Sequence, residues 1–184
     1  MRLGAAVVAT DLSEAMGVLE QNLHDNADGA AEKAYAAPLV WGSRVPFHRG
    51  DFDVVLMADV TYIEEMLRPL LATLLQLADQ TTTIVCAHSA VHDLKAESVE
   101  AVFGGYFEFE RMAAPHAPGV LVEVDLILGR LRSNADVANF LCEWFSGGDG
   151  PSYESHQDVL DANWTKSVLL PGAEGPMPLG DSLD

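Results

Sequence analysis

Phe52-Asp53-Val54-Val55-Leu56-Met57-Ala58-Asp59-Val60-Thr61-Tyr62 is the stretch whose reading decides the fold. Val54 to Ala58 run apolar without a break, bounded by Asp53 and Asp59. So short a run with charged ends predicts a strand buried on both faces, as in a parallel sheet covered by helices. Its carboxyl end would deliver a carboxylate, Asp59, and a phenol, Tyr62, within one turn. In open α/β sheets that edge is where ligands bind. A plainer reading has Asp59 open the next helix and Tyr62 act as a half-buried anchor. The local pattern alone leaves both open.

Upstream, Ala5 to Thr10 form a valine-rich apolar run that ends in Asp11. The opening Arg2 to Ala9 mimics a signal peptide, but Asp11 follows at once and the run reads as a strand. From Leu12 the period changes. Leu12, Met16, Leu19 and Leu23 recur at helical spacing and predict a helix over about 13–24. Asp11 with Glu14 makes a capping box at its start. Residues 25–36 are polar and alanine-rich and read as a loop. Pro38-Leu39-Val40-Trp41-Gly42 reads as a short strand, followed by a turn-rich connection from Ser43 to Gly50.

Downstream, Met66, Leu67, Leu70, Leu71, Leu74 and Leu75 give a helix a wide apolar face, with Pro69 held to its first turn. Glu64-Glu65 reads as a solvated helix start. Thr81 to Ala87 is β-branched and predicts a strand. A helix over about 94–103 follows, capped by Asp93, with Leu94, Val99, Val102 and Phe103 inward and Gly104-Gly105 as its stop. The period then becomes two. Phe107 and Phe109, then Val120, Val122, Val124, Leu126 and Leu128, alternate with charged residues across a break at Ala113 to Gly119, an antiparallel hairpin. Val137, Phe140, Leu141 and Trp144 form a helical stripe that reads as packed on the sheet rather than as a docking face. Three prolines and three glycines without periodicity predict a mobile tail over 171–184. The expected organisation is a domain over 1–132, a helical extension over 133–170 and that tail. The order of elements predicts a doubly wound, mostly parallel α/β sheet closed by an antiparallel hairpin.

A chain of 184 residues suffices for one sizeable core. Its charge is far from balanced. Twenty-eight acidic against ten basic residues give −18. Such a surface repels phosphate backbones, so nucleic acid is a poor partner and a basic protein or peptide a better one. Residues 133–184 carry nine acids and one base, so the tail is the more acidic part. Cys86 and Cys142 are the only cysteines and lie far apart, which predicts reduced thiols and a cytosolic or nuclear setting. No stretch is long enough to span a membrane. His88 and His92 lie at i, i+4 with no third ligand spaced near them, so they read as loop and surface histidines and no metal is expected.

Three segments, Ala9-Thr10-Asp11-Leu12, Leu39-Val40-Trp41-Gly42 and Phe52 to Tyr62, stand together in this order. With them the chain resembles class I, seven-β-strand methyltransferases over about residues 3–130. More narrowly it resembles methyltransferase family 16, the protein-lysine methyltransferases with a D-x-x-Y motif after strand 4. The resemblance implies a Rossmann-like fold, S-adenosylmethionine as cofactor and a lysine-containing protein segment as substrate. It implies that Asp11 accepts hydrogen bonds from the ribose hydroxyls, a task suited to an acceptor-only carboxylate. Trp41 would lie beside the adenine, and the Ala58 backbone would border the cofactor. Asp59 and Tyr62 would sit near the target amine and the reactive methyl. An aromatic wall there favours the cationic sulfonium and ammonium, and no metal is needed. Asp11 as a mere helix cap and Trp41 as a core residue are the competing readings.

The family's sheet also has a first strand and a G-x-G loop ahead of the strand that ends in Asp11. In this sequence Met1 stands where the helix after that loop would be ending. The expectation is therefore an N-terminally incomplete fold. Either the two flanking strands pair directly, or an exposed gap remains that favours association. A methyltransferase by descent competes with a non-catalytic interaction module or a gene-model fragment, and fold alone does not separate them. Small-molecule methylation on the same fold fits Asp59-Val60-Thr61-Tyr62 less well.

Overall fold

The computed structural model describes residues 5–26, 34–89, 96–113 and 124–147. The described residues divide into two compact units, one up to Ser43 and one from Arg44 on. Asp93, His92, most of the expected hairpin loop and the tail lie outside the described residues.

In the first unit, β1 (Val7–Asp11) pairs in parallel with β2 (Ala34–Pro38), from Val7 opposite Ala34 to Asp11 opposite Pro38. A 3-10 turn at Ser13–Ala15 leads into α1 (Met16–Asn26). Two expectations need correction. The capping box does not form. Pairing with β2 carries the strand through Asp11, so Leu12 precedes the helical turn, and no side chain caps it. The second strand begins at Ala34, inside the stretch read as a loop, and Trp41-Gly42 is a turn. Alanines advertise a strand weakly, and here pairing with β1 decides the matter. Met16, Leu19 and Leu23 are half-buried, and no residue of α1 is buried.

The second unit holds a four-stranded sheet in the order β3-β4-β6-β5. β3 (Val54–Ala58) runs parallel to β4 (Thr83–Ser89), while β6 (Val124–Leu131) is antiparallel to both β4 and β5 (Phe107–Ala113). The hairpin therefore forms as expected, with its second strand inserted beside β4. α2 (Leu67–Leu77), α3 (Ala96–Phe103) and α4 (Val137–Ser146) complete the unit. Leu67, Leu71, Leu74, Leu75, Ile84, Val99, Phe103, Phe107 and Ile127 are almost wholly enclosed. Val137, Phe140, Leu141 and Trp144 are buried, and the Asp136 carboxylate caps α4 by accepting from the Asn139 N–H at 3.1 Å. Gly104 ends α3, where a Cβ would come within 2.6 Å of the Glu100 carbonyl oxygen.

The expectation of a strand buried on both faces is overturned for β3. Met57 is 5% exposed, but Val54 is 49% and Leu56 74% exposed. The exposed residues alternate, Val54, Leu56 and Ala58, so one face of the strand is uncovered while the other carries Met57 inward. Among the described residues β3 pairs only with β4 and β1 only with β2.

Candidate active site

β3 ends at Ala58, opposite Ala87 of β4. The next residue turns the chain sharply. Asp59 adopts φ 55°, the left-handed region, while its N–H donates to the Ala87 carbonyl at 2.9 Å. Aspartate enters this region at less cost than most residues, because a short polar side chain can hydrogen-bond locally. The turn leaves the Asp59 side chain exposed, Thr61 fully enclosed and Tyr62 49% exposed. A 3-10 turn at Glu64–Met66 then feeds α2, with Glu64 and Glu65 in solvent as expected. Ala58, Asp59 and Tyr62 are thus gathered at the carboxyl end of one strand.

Beneath that turn lies a polar contact that no sequence motif marks. The Thr61 hydroxyl is hydrogen-bonded to His88 Nδ1 at 2.8 Å, and His88 is 1% exposed. The expectation of a loop histidine is therefore wrong. β4 runs on to Ser89, and His88 shares its inward face with Ile84 and Cys86. Extending the period of two beyond Ala87 would have found it. Burial pushes the Cys86 thiol up from its ordinary range, and a hydrogen bond from Thr61 partly offsets this.

In the first unit, Asp11 and Trp41 follow the same logic at the ends of β1 and β2. The Leu39 N–H donates to the Asp11 carbonyl at 2.8 Å, tying the chain after β2 to the end of β1. The exposed Asp11 carboxylate accepts from the Leu12 N–H through Oδ1 at 2.8 Å. A carboxylate is acceptor-only, and its chemistry suits the hydroxyl donors of a ribose diol. Trp41 is half-buried beside Gly42 at φ 83°. Among the described residues no group of three His, Cys, Asp or Glu could hold a metal ion, and no helix is long and apolar enough to cross a membrane.

Comparison with known proteins bears on both units. The model of the lysine methyltransferase family matches residues 1–102, more than half of the chain. The chain is 35% identical over 85 residues to Protein N-lysine methyltransferase METTL21A of Danio rerio, covering 45% of this chain and 39% of that protein. It is 37% identical over 90 residues to Protein-lysine methyltransferase METTL21E of Mus musculus, covering 46% and 37%. The chain thus spans well under half the length of these relatives. Among solved structures, a TehB-like SAM-dependent methyltransferase from Corynebacterium glutamicum aligns with TM-score 0.53 at 18% identity, over 70% of each chain. A predicted O-methyltransferase from Agrobacterium tumefaciens aligns with TM-score 0.56 at 13% identity, over 71% of this chain and 64% of that one. At such identities the likeness speaks to fold, and the fold is the Rossmann-like α/β fold of class I methyltransferases. On the match over residues 1–102, the chain belongs to the lysine methyltransferase family.

Proposed function

We propose that this chain serves an S-adenosylmethionine-dependent N-methyltransferase acting on a protein lysine. The observation that carries the reading is the Asp59-to-Tyr62 turn. It lies inside the residues matched by the family, at the carboxyl end of β3, with Asp59 held in a left-handed conformation. Such strain in a non-glycine residue costs on the order of 1–3 kcal/mol and gathers at functional sites.

When bound, the cofactor supplies an electrophilic methyl: the amine lone pair forms the C–N bond while the C–S electrons pass to sulfur. The Asp59 carboxylate orients the deprotonated lysine amine for in-line approach, where positioning contributes most of what the protein can add. The exposed Tyr62 ring offers a face that favours cationic groups. Asp11 accepts from the ribose hydroxyls, Trp41 covers the adenine, and Ala58, having no bulk, lets its backbone border the cofactor. A net charge of −18 favours a basic, lysine-containing segment as substrate. Two unpaired thiols suit a cytosolic or nuclear setting.

Calorimetric titration with S-adenosylhomocysteine tests the reading. Saturable binding is expected, weakened about tenfold by Asp11→Ala, the size of a lost hydrogen bond to a charged group. Asp59→Ala should keep that binding and abolish transfer to a lysine peptide. A fully active Asp59→Ala variant would falsify the catalytic assignment. Absence of binding would favour a non-catalytic module that keeps the sheet, a reading to which the uncovered Val54 and Leu56 lend weight.

A further inference from the structure

We infer that Thr61 and His88 form a buried latch that positions Asp59 and Tyr62; the inference rests on the active-site reading above. Thr61 is flanked in sequence by the two residues assigned to the lysine amine, yet it points the opposite way. Asp59 and Tyr62 are exposed, while Thr61 is 0% exposed. Its hydroxyl meets His88 Nδ1 at 2.8 Å and lies against the Cys86 thiol. Both partners belong to β4, so the contact crosses from the turn after β3 to the neighbouring strand.

Two of the bonds that fasten the turn to β4 bear on its course. One is the Asp59 N–H to the Ala87 carbonyl, which extends the backbone ladder just past Ala58. The other is the side-chain bond at Thr61. The first fixes where the strand ends; the second fixes the direction the chain takes afterwards. A residue in the left-handed region persists only when its surroundings over-determine it, and this pair of anchors on either side of Val60 does so. Apolar packing alone would serve a core position there equally well. The site instead holds a hydroxyl and an imidazole, each of which would be costly to bury without a partner. The hydrogen bond gives directional restraint that a valine methyl at position 61 could not give. Thr61 and His88 thus act through the exposed pair and are positioning residues.

Three variants test the latch: Thr61→Val, which keeps the shape and removes the hydroxyl, Thr61→Ser, which restores it, and His88→Phe. Amide hydrogen exchange on the full chain is the primary readout. Thr61→Val should exchange about tenfold faster at residues 59–63, the size of one buried hydrogen bond, with β4 and β6 unchanged. Thr61→Ser should return the turn toward wild-type protection. If His88→Phe fails to fold, the Thr61 pair still decides. With a lysine peptide, Thr61→Val should lower kcat about tenfold and leave binding of S-adenosylhomocysteine within twofold, each an order-of-magnitude figure for losing positioning without losing cofactor contacts. Exchange that rises equally over the whole unit, or that stays unchanged in Thr61→Val, would overturn the latch. If wild-type chain transfers no methyl group, the catalytic reading fails while the exchange result still settles whether the turn is latched.

Discussion

The two units each carry a helix with apolar residues at helical spacing, a narrow stripe in α1 and a wide face in α2, and the two helices differ in burial. In α2, Leu67, Leu70, Leu71, Leu74, Leu75 and Leu77 are all buried. In α1, whose stripe is only Met16, Leu19 and Leu23, no residue is buried and Val18 is 68% exposed. The difference follows the breadth of each apolar face and what each helix has within its own unit to pack on: among the described residues, four strands in one and two in the other. Two paired strands alone are marginal in water, and a helix adds stability only through the apolar area it hides. Periodicity tells which face a helix would bury. Whether that face is covered depends on elements far away in the chain.

The sharpest way to break this contrast is to remove comparable apolar bulk from each unit. Phe103→Ala, at a site 1% exposed, should cost about 3–5 kcal/mol and unfold the second unit at moderate denaturant. Leu19→Ala, at a half-buried site, should cost less than about 1 kcal/mol. Urea melts followed by circular dichroism measure both. Equal costs would mean that the first unit has a core of the same quality.

A smaller effect probes the interior of the second unit through Cys86. Its thiol is pushed above the ordinary 9.0 by burial, so near that pH the unfolded chain releases the proton first. Stability should then fall as pH rises above about 9, by at most about 1.4 kcal/mol per pH unit from this group. The slope should be shallower in Cys86→Ala, measured by thermal melts from pH 8 to about 10, the span in which an ordinary thiol titrates. At neutral pH the exposed Cys142 should alkylate at once and Cys86 only on unfolding.

These contrasts also mark how far the sequence could be read. The alternation of the second unit, its closing hairpin and the α4 stripe were legible, because period and turn residues are local signals. So was the Asp59-to-Tyr62 turn, since its placement needs only a strand and its end. What could not be read depends on pairing. Val54 to Ala58 look like a doubly buried strand from composition alone, and only the sheet order shows that β3 has one partner among the described residues. Asp11 followed by Glu14 fits a capping box, yet the ladder with Pro38 holds Asp11 in the strand. Ala34 to Pro38 lacks β-branched residues and gave no strand signal until β1 lay beside it. For His88 the reason is simpler: β4 runs to Ser89, two residues beyond its β-branched stretch, and carries His88 on its inward face.

The smallest expected effect on stability falls on the feature that contradicts the sequence most directly. Leu56 is 74% exposed on a strand that pairs on one edge only among the described residues, whereas its neighbour Met57 is 5% exposed on the other face. An apolar edge strand invites pairing with other chains, and a lysine on such an edge is a common defence. Leu56→Lys should therefore change stability by no more than about 0.5 kcal/mol, as at other open surface sites. It should also reduce self-association in concentration-dependent light scattering. Met57→Lys should instead destroy the second unit, because an unpaired ammonium would enter its interior. If Leu56→Lys were as damaging as Met57→Lys, something must cover that face in solution. The contrast between the two faces of β3 would then be lost, although pairing with β4 would remain.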